Sequence, residues 1–133
     1  MSSVQKQDQN ENNSDFIYEI VAGTVLRTFR KTRILGKGGF ATVYSCIDIK
    51  TDEKFALKMV NKDIFKKHPE IRNKLFTEIN IHRDLNHPSI TKFLTFFENN
   101  DYVVIVLEHC SRTTLDDYLR QSVYLKKEKA QKL

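Results

Sequence analysis

The 133-residue chain has no apolar stretch long enough for a helical membrane span, which needs roughly 18 uncharged residues in a row. Its first fifteen residues, MSSVQKQDQNENNSD, are polar throughout and lack the apolar segment of a secretory signal. Cysteine is scarce: Cys46 and Cys110 stand 64 positions apart, with no CxxC pairing. That excludes a zinc ribbon and a disulfide scaffold, and it fits a reducing, intracellular compartment, cytoplasm and/or nucleus. The only two prolines are Pro69 and Pro88, and no Pro- or Gly-rich linker or internal repeat divides the chain. One domain at most is expected at this length. Charge of one sign is also scarce over most of the sequence. The net charge is +5, but residues 120–133 contribute +4 of it and the other 119 residues only +1. A nucleic-acid surface needs a basic stripe interleaved with aromatics on the folded body. The terminal run reads instead as a solvated helix or frayed end, so neither nucleic acid nor membrane is an expected partner.

What is present is a 40% apolar fraction, enough for a core. It begins at Phe16, and residues 1–15 read as a disordered polar tail. Short β-branched and aromatic runs at 32–36 (TRILG), 41–48 (ATVYSCID) and 55–60 (FALKMV) are separated by glycines and by the polar turn KTDEK. They predict antiparallel strands. Residues 69–86 carry the helical period, with Pro69 tolerated in the first turn. Residues 90–97 and 102–107 predict two more strands joined by ENND. Thr114 with Asp117 three positions on reads as the start of a further short helix. The order implies an α+β fold with a five-stranded antiparallel sheet and one main helix.

Three features could carry chemistry. The string Gly36-Lys37-Gly38-Gly39-Phe40-Ala41-Thr42-Val43 precedes a strand and not a helix, so the glycines fall in a hairpin. Such a hairpin can offer backbone amides to phosphate oxygens, or it can simply need glycine to turn. Lys58 interrupts an apolar strand and shares a face with Ala56 and Val60. It is either buried with a partner or snorkelling from an edge. Glu78 falls within the apolar stripe formed by Ile71, Leu75, His82 and Leu85. It lies either near the stripe's centre, where it needs a cation, or at the edge, in reach of water.

Glycine hairpin, strand lysine and helix glutamate, about twenty residues apart, make the layout of a protein-kinase N-terminal lobe. GKGGFATVY resembles the kinase glycine-rich loop and FALK the family's V-A-I-K. EINIHRDLNHPSI and FFENNDYVVIVLEHC, with Ala41 replacing the third glycine, resemble the polo-like serine/threonine kinases. The resemblance covers residues 28–130 and implies a kinase N-lobe at 28–110, preceded by an extension at 16–27. Residues 111–133 would hold the hinge exit and the start of the C-lobe helices. It further implies ATP and Mg2+ as cofactors and protein Ser/Thr as substrate. Amides from Gly38 to Ala41 would cover the phosphates, with Phe40 at the loop tip and Gly36 and Lys37 bordering the nucleotide. Lys58 would hold the α- and β-phosphates, oriented by Glu78. Leu35, Val43 and Ala56 would sandwich the adenine, and Leu107 would guard the back pocket. The Glu108 carbonyl and Cys110 N–H would bond the adenine edge.

His82-Arg83-Asp84-Leu85 imitates the start of a kinase catalytic loop, but Ser89 stands where that motif has asparagine. The string also ends the Glu78 helix, so it is rejected as a catalytic loop. His82 is expected to be a packed stripe residue and Asp84 a solvated or capping carboxylate. The four histidines have no metal-ligand spacing. His68 and His109 read as surface or hinge residues, and His87-Pro88 resembles the corner between the helix and the next strand. No D-F-G, A-P-E or true catalytic loop occurs, so by the resemblance the magnesium ligands and the substrate-binding surface would lie in a C-lobe that is missing here. The chain alone is expected to be inactive in phosphoryl transfer. The alternative is a non-catalytic kinase-lobe module that binds a partner protein.

Overall fold

A computed structural model describes residues 15–85 and 91–109. Six strands form one antiparallel sheet in the order β1-β2-β3-β4-β6-β5. They are β1 (Phe16–Val21), β2 (Thr24–Gly38), β3 (Ala41–Asp48), β4 (Lys54–Asn61), β5 (Phe93–Glu98) and β6 (Tyr102–Glu108). Two helices, α1 (Asp63–Lys67) and α2 (Pro69–Arg83), lie between β4 and β5.

The α+β class and the five expected strands are present, and a sixth strand corrects the strand count. Residues 16–21, expected as an extension before the lobe, pair with 24–30. The two-residue loop between them makes this possible: Ala22 and Gly23 both have positive φ, 51° and 79°. That is the twist a tight hairpin turn needs to match its flanking strands. β2 therefore begins at Thr24 and changes partners along its length. Its first half pairs with β1, and residues from Phe29 onward pair with β3. Helix α1 was not expected; the Asn61 side chain accepts the Asp63 N–H at 2.9 Å at its start. Helix α2 begins at Pro69 as expected and ends at Arg83, with Asp84 at the C-cap position, short of the expected residue 86. Residues 86–90, which include His87 and Pro88, and the expected helix after Thr114 lie outside the described residues.

Each face of the sheet buries its own apolar cluster. On one face, Leu35, Val43, Ala56, Val60 and Leu107 pack against Leu75 and Ile79 of α2. The other face gathers Ile17, Phe29, Cys46, Phe55, Leu57 and Phe97. There Phe29 stacks on Phe97 at 6.3 Å and meets Phe55 edge-on at 5.6 Å. The guanidinium of Arg27 lies 5.0 Å from the Phe29 ring centre and is held by Glu19 at 2.6 Å.

Candidate nucleotide site

The glycine hairpin turns through Gly39 and Phe40, with Gly38 opposite Ala41 at its base. Gly39 has φ +57° and Phe40 is not in the positive region, the pattern of a turn that demands glycine first. Gly38 has no such demand. A Cβ on Gly38 or Gly39 would meet nothing within 4 Å. Among the described residues, neither packing nor a positive φ explains glycine at 38, and the space beside it is open.

From the hairpin the register leads directly to the lysine. Val43 lies opposite Lys58, and Ala41 opposite Val60. Lys58 is only 9% exposed and, as expected, on the face shared with Ala56 and Val60. Glu78 is half-buried. It stands at the edge of the stripe and not at its centre, because the buried line of α2 runs through Leu75, Ile79 and His82. Both charged residues border one cavity of about 310 Å³, roofed by Gly36, Lys37, Gly38, Phe40, Ala41 and Val43. The volume is at the lower end of small-molecule sites. Lys74, one turn before Glu78, also lines it. The i, i+4 spacing from Glu78 was the available signal for Lys74. Three lysines against one glutamate give the cavity a net positive lining, suited to a polyphosphate.

The other expected residues are placed differently. Leu35, Ala56 and Leu107 belong to the buried cluster with Val43, and Ala56 is directly opposite Leu107. Gly39 is at the turn and outside the cavity lining. The exposed Glu108 anchors the entry to β5, its carboxylate accepting the Lys92 N–H at 2.8 Å. Cys110 lies outside the described residues. Phe40, at the loop tip, comes within 6.5 Å of the His68 ring where α2 begins.

His82 is buried, as expected of a stripe residue, one turn beyond Glu78. Its Nε2 lies 2.6 Å from the Thr91 carbonyl, which can only accept, so Nε2 carries the proton. Burial pushes its pKa down, and Lys58 adds to that. The bond to Thr91 and the charge of Glu78 act the other way. Exposed Asp84 ends the helix, a position incompatible with a catalytic loop between later strands. Cys46 lies in the cluster on the opposite face, and burial pushes its thiol up to about 12, which leaves it un-ionised and inert. Among the described residues, no group of three or more His, Cys, Asp or Glu could hold a metal ion. No described helix is long and apolar enough to cross a membrane.

Comparison with known families places this geometry. The protein kinase domain model matches residues 29–133. The chain belongs to the protein kinase family. Its kinase relatives include the serine/threonine-protein kinase polo of Drosophila melanogaster, 45% identical over 89 residues, 67% of this chain and 15% of that protein. The probable serine/threonine-protein kinase PLK of Dictyostelium discoideum is 39% identical over 100 residues, 75% of this chain and 10% of that protein. Serine/threonine-protein kinase PLK1 of Xenopus laevis is 44% identical over 89 residues, 67% of this chain and 15% of its own length. The chain therefore spans only 10% to 15% of the length of these kinases. The polo-like resemblance read from the motifs is borne out by these relatives.

Proposed function

We propose that the glycine hairpin, Lys58 and Glu78 form the nucleotide-binding part of a polo-like serine/threonine kinase. One observation carries this reading: a hairpin, a strand and a helix separated in sequence converge on one positively lined cavity. Residues 28–110 are the N-lobe in this reading, and 111–133 lead into the C-lobe. The cavity fits the triphosphate of ATP, since Gly38 leaves open space beside exposed loop backbone and Lys58 supplies a cation. Bound MgATP supplies the γ-phosphoryl group that such kinases pass to Ser/Thr hydroxyls of proteins. The chain's own part is to bind and orient: amides from Gly38 to Ala41 cover the phosphates, Lys58 holds the α- and β-oxygens, and Glu78 fixes Lys58. Leu35, Val43 and Ala56 provide the apolar roof over the adenine, with Leu107 behind it. The Glu108 carbonyl and the Cys110 N–H complete the adenine edge. The described residues offer Mg2+ no ligand set of their own.

The described residues supply one wall of a nucleotide cleft, so calorimetry on the 133-residue chain should give ATP binding weaker than micromolar, lost in Lys58→Met. Micromolar or tighter binding would refute the half-site. Saturable binding that Lys58→Met leaves unchanged would refute the assigned residues. The same chain should not transfer labelled phosphate to casein above the Lys58→Met background. The alternative, a lobe that only binds a partner protein, requires no nucleotide binding at all.

A further inference from the structure

The two edges of the sheet are built differently. β5, at one edge, contains a bulge at Leu94, since the register jumps between Phe93 and Thr95 while β6 stays regular. It is also flanked by α2, and its last residue, Glu98, is bound to Lys62 at 3.1 Å. Bulges, charges and covering helices are how sheets blunt their edges against further pairing. Among the described residues, β1, at the other edge, has no bulge of its own and no covering helix. Its only register shift comes from an extra residue, Leu26, on the β2 side, so β1 itself runs regularly. Its six residues, FIYEIV, contain no proline and one charge, Glu19, which is turned inward onto Arg27. Phe16, Tyr18 and Ile20 alternate on the outward face and are 42%, 47% and 50% exposed. Of the ten exposed large apolar residues among the described ones, six, from Phe16 to Leu26, belong to this one hairpin.

The sequence of β1 selects the occupant of that edge. We propose that β1 pairs antiparallel with β1 of a second copy of this chain, about a two-fold axis through Tyr18. Antiparallel partners opposite one another share a face, so the register must keep outward residues opposite outward ones. Centred on Tyr18, Phe16 meets the second copy's Ile20, Tyr18 meets its own equivalent, and inward Ile17 meets inward Glu19. Aromatic and β-branched cross-strand pairs of this kind stabilise sheets. No like charges oppose one another, because the strand's one carboxylate lies off the axis and is already paired with Arg27. The two-fold closes the assembly at two copies, since each β1 edge is used once. The contact involves about six residues a side, far fewer than the roughly 20–30 of a standard interface, so the dimer is weak.

The test follows from the axis. Sedimentation of the full 133-residue chain from about 10 to 500 μM should show reversible monomer–dimer exchange. Tyr18→Lys and Tyr18→Glu, each alone, place like charges face to face and should be monomeric. Mixed in equal amounts they should dimerise again, as a heterodimer at least as tight as the parent. A Phe16→Lys and Phe16→Glu mixture should show no such rescue, because residue 16 meets residue 20. The unsubstituted chain gives an independent readout by hydrogen exchange. Raising the concentration should protect amides of residues 16–21 and leave those of 93–98 unchanged. A chain monomeric throughout, a dimer indifferent to Tyr18→Lys, or protection outside β1 overturns the proposal.

Discussion

The two faces of the sheet bury apolar clusters of similar size and differ in what surrounds them. The α2 face brings Lys58, Glu78 and His82 together at the margin of its cluster. The opposite face packs Phe29, Phe55 and Phe97 against one another, with an un-ionised thiol among them and its charged groups, Arg27 and Glu19, paired with each other over the rings. In the proposed reading one sheet thus separates folding from binding: the aromatic face contributes stability, and the polar groups of the helix face serve the cavity. Substitutions on the two faces should therefore give opposite ratios of lost stability to lost affinity.

The largest effect is expected on the aromatic face. Phe29 is fully buried and contacts two other rings. Phe29→Ala should cost about 3–5 kcal/mol in urea unfolding, a large part of the stability of a small domain. Whatever fraction remains folded should bind nucleotide as the parent does. A folded Phe29→Ala chain with impaired binding would break the division between the faces.

Lys58→Met should show the reverse. The substitution removes a cation from a nearly buried position and fills it with an apolar chain of similar length. Glu78, left without it, is half-exposed and can turn to water. Nucleotide affinity should fall at least tenfold, about 1.4 kcal/mol, while the unfolding midpoint moves little. A loss of several kcal/mol of stability would show that the lysine holds the lobe together.

How much of this division could be read in the sequence depended on whether local pattern was enough. Lys58 was legible because strand alternation fixes its face once FALKMV is recognised as a strand. The glycine hairpin was legible because the run after it alternates. Glu78 was legible as a stripe member but misplaced within the stripe. A helical wheel shows that positions 75, 78, 79 and 82 are neighbours, and only the position of the sheet decides that 75, 79 and 82 face inward. The β1 strand was missed because Ala22-Gly23 lacks the Asn-Gly or Asp-Gly signature, and alanine with positive φ is rarely expected. The charged partner of that hairpin, Glu19 with Arg27, depends on a bulged register that no periodicity reveals.

A smaller effect comes from pH and is confined to the helix face. Burial lowers the pKa of His82 in the folded state below its ordinary 6.5. The unfolded chain therefore binds the proton first, and stability should fall as pH drops below about 6.5, levelling off beneath the folded value. Urea midpoints at pH 7.5 and 5.5 should differ more for the parent than for His82→Gln, whose amide can still donate toward Thr91. Equal pH sensitivity in both would assign the effect to other groups.

The smallest stability effects are expected at the hairpin, where two adjacent glycines should separate conformational from spatial roles. At Gly39 the positive φ makes alanine unfavourable by about 1 kcal/mol, although a Cβ would touch nothing. At Gly38 φ is ordinary and the surroundings are equally open, so Gly38→Ala should change stability by less than about 0.5 kcal/mol. Gly38 nevertheless lines the cavity and Gly39 does not. Its added methyl should occupy space that phosphate oxygens need, weakening ATP binding by about tenfold, or 1.4 kcal/mol. Gly39→Ala should weaken binding less than Gly38→Ala, because its cost falls on the turn and not on the ligand. Paired urea and calorimetric titrations of the two variants would show this crossing. If Gly38→Ala bound ATP like the parent, the open space beside residue 38 would not be where the phosphates lie, and the cavity would have to hold the nucleotide against α2 instead.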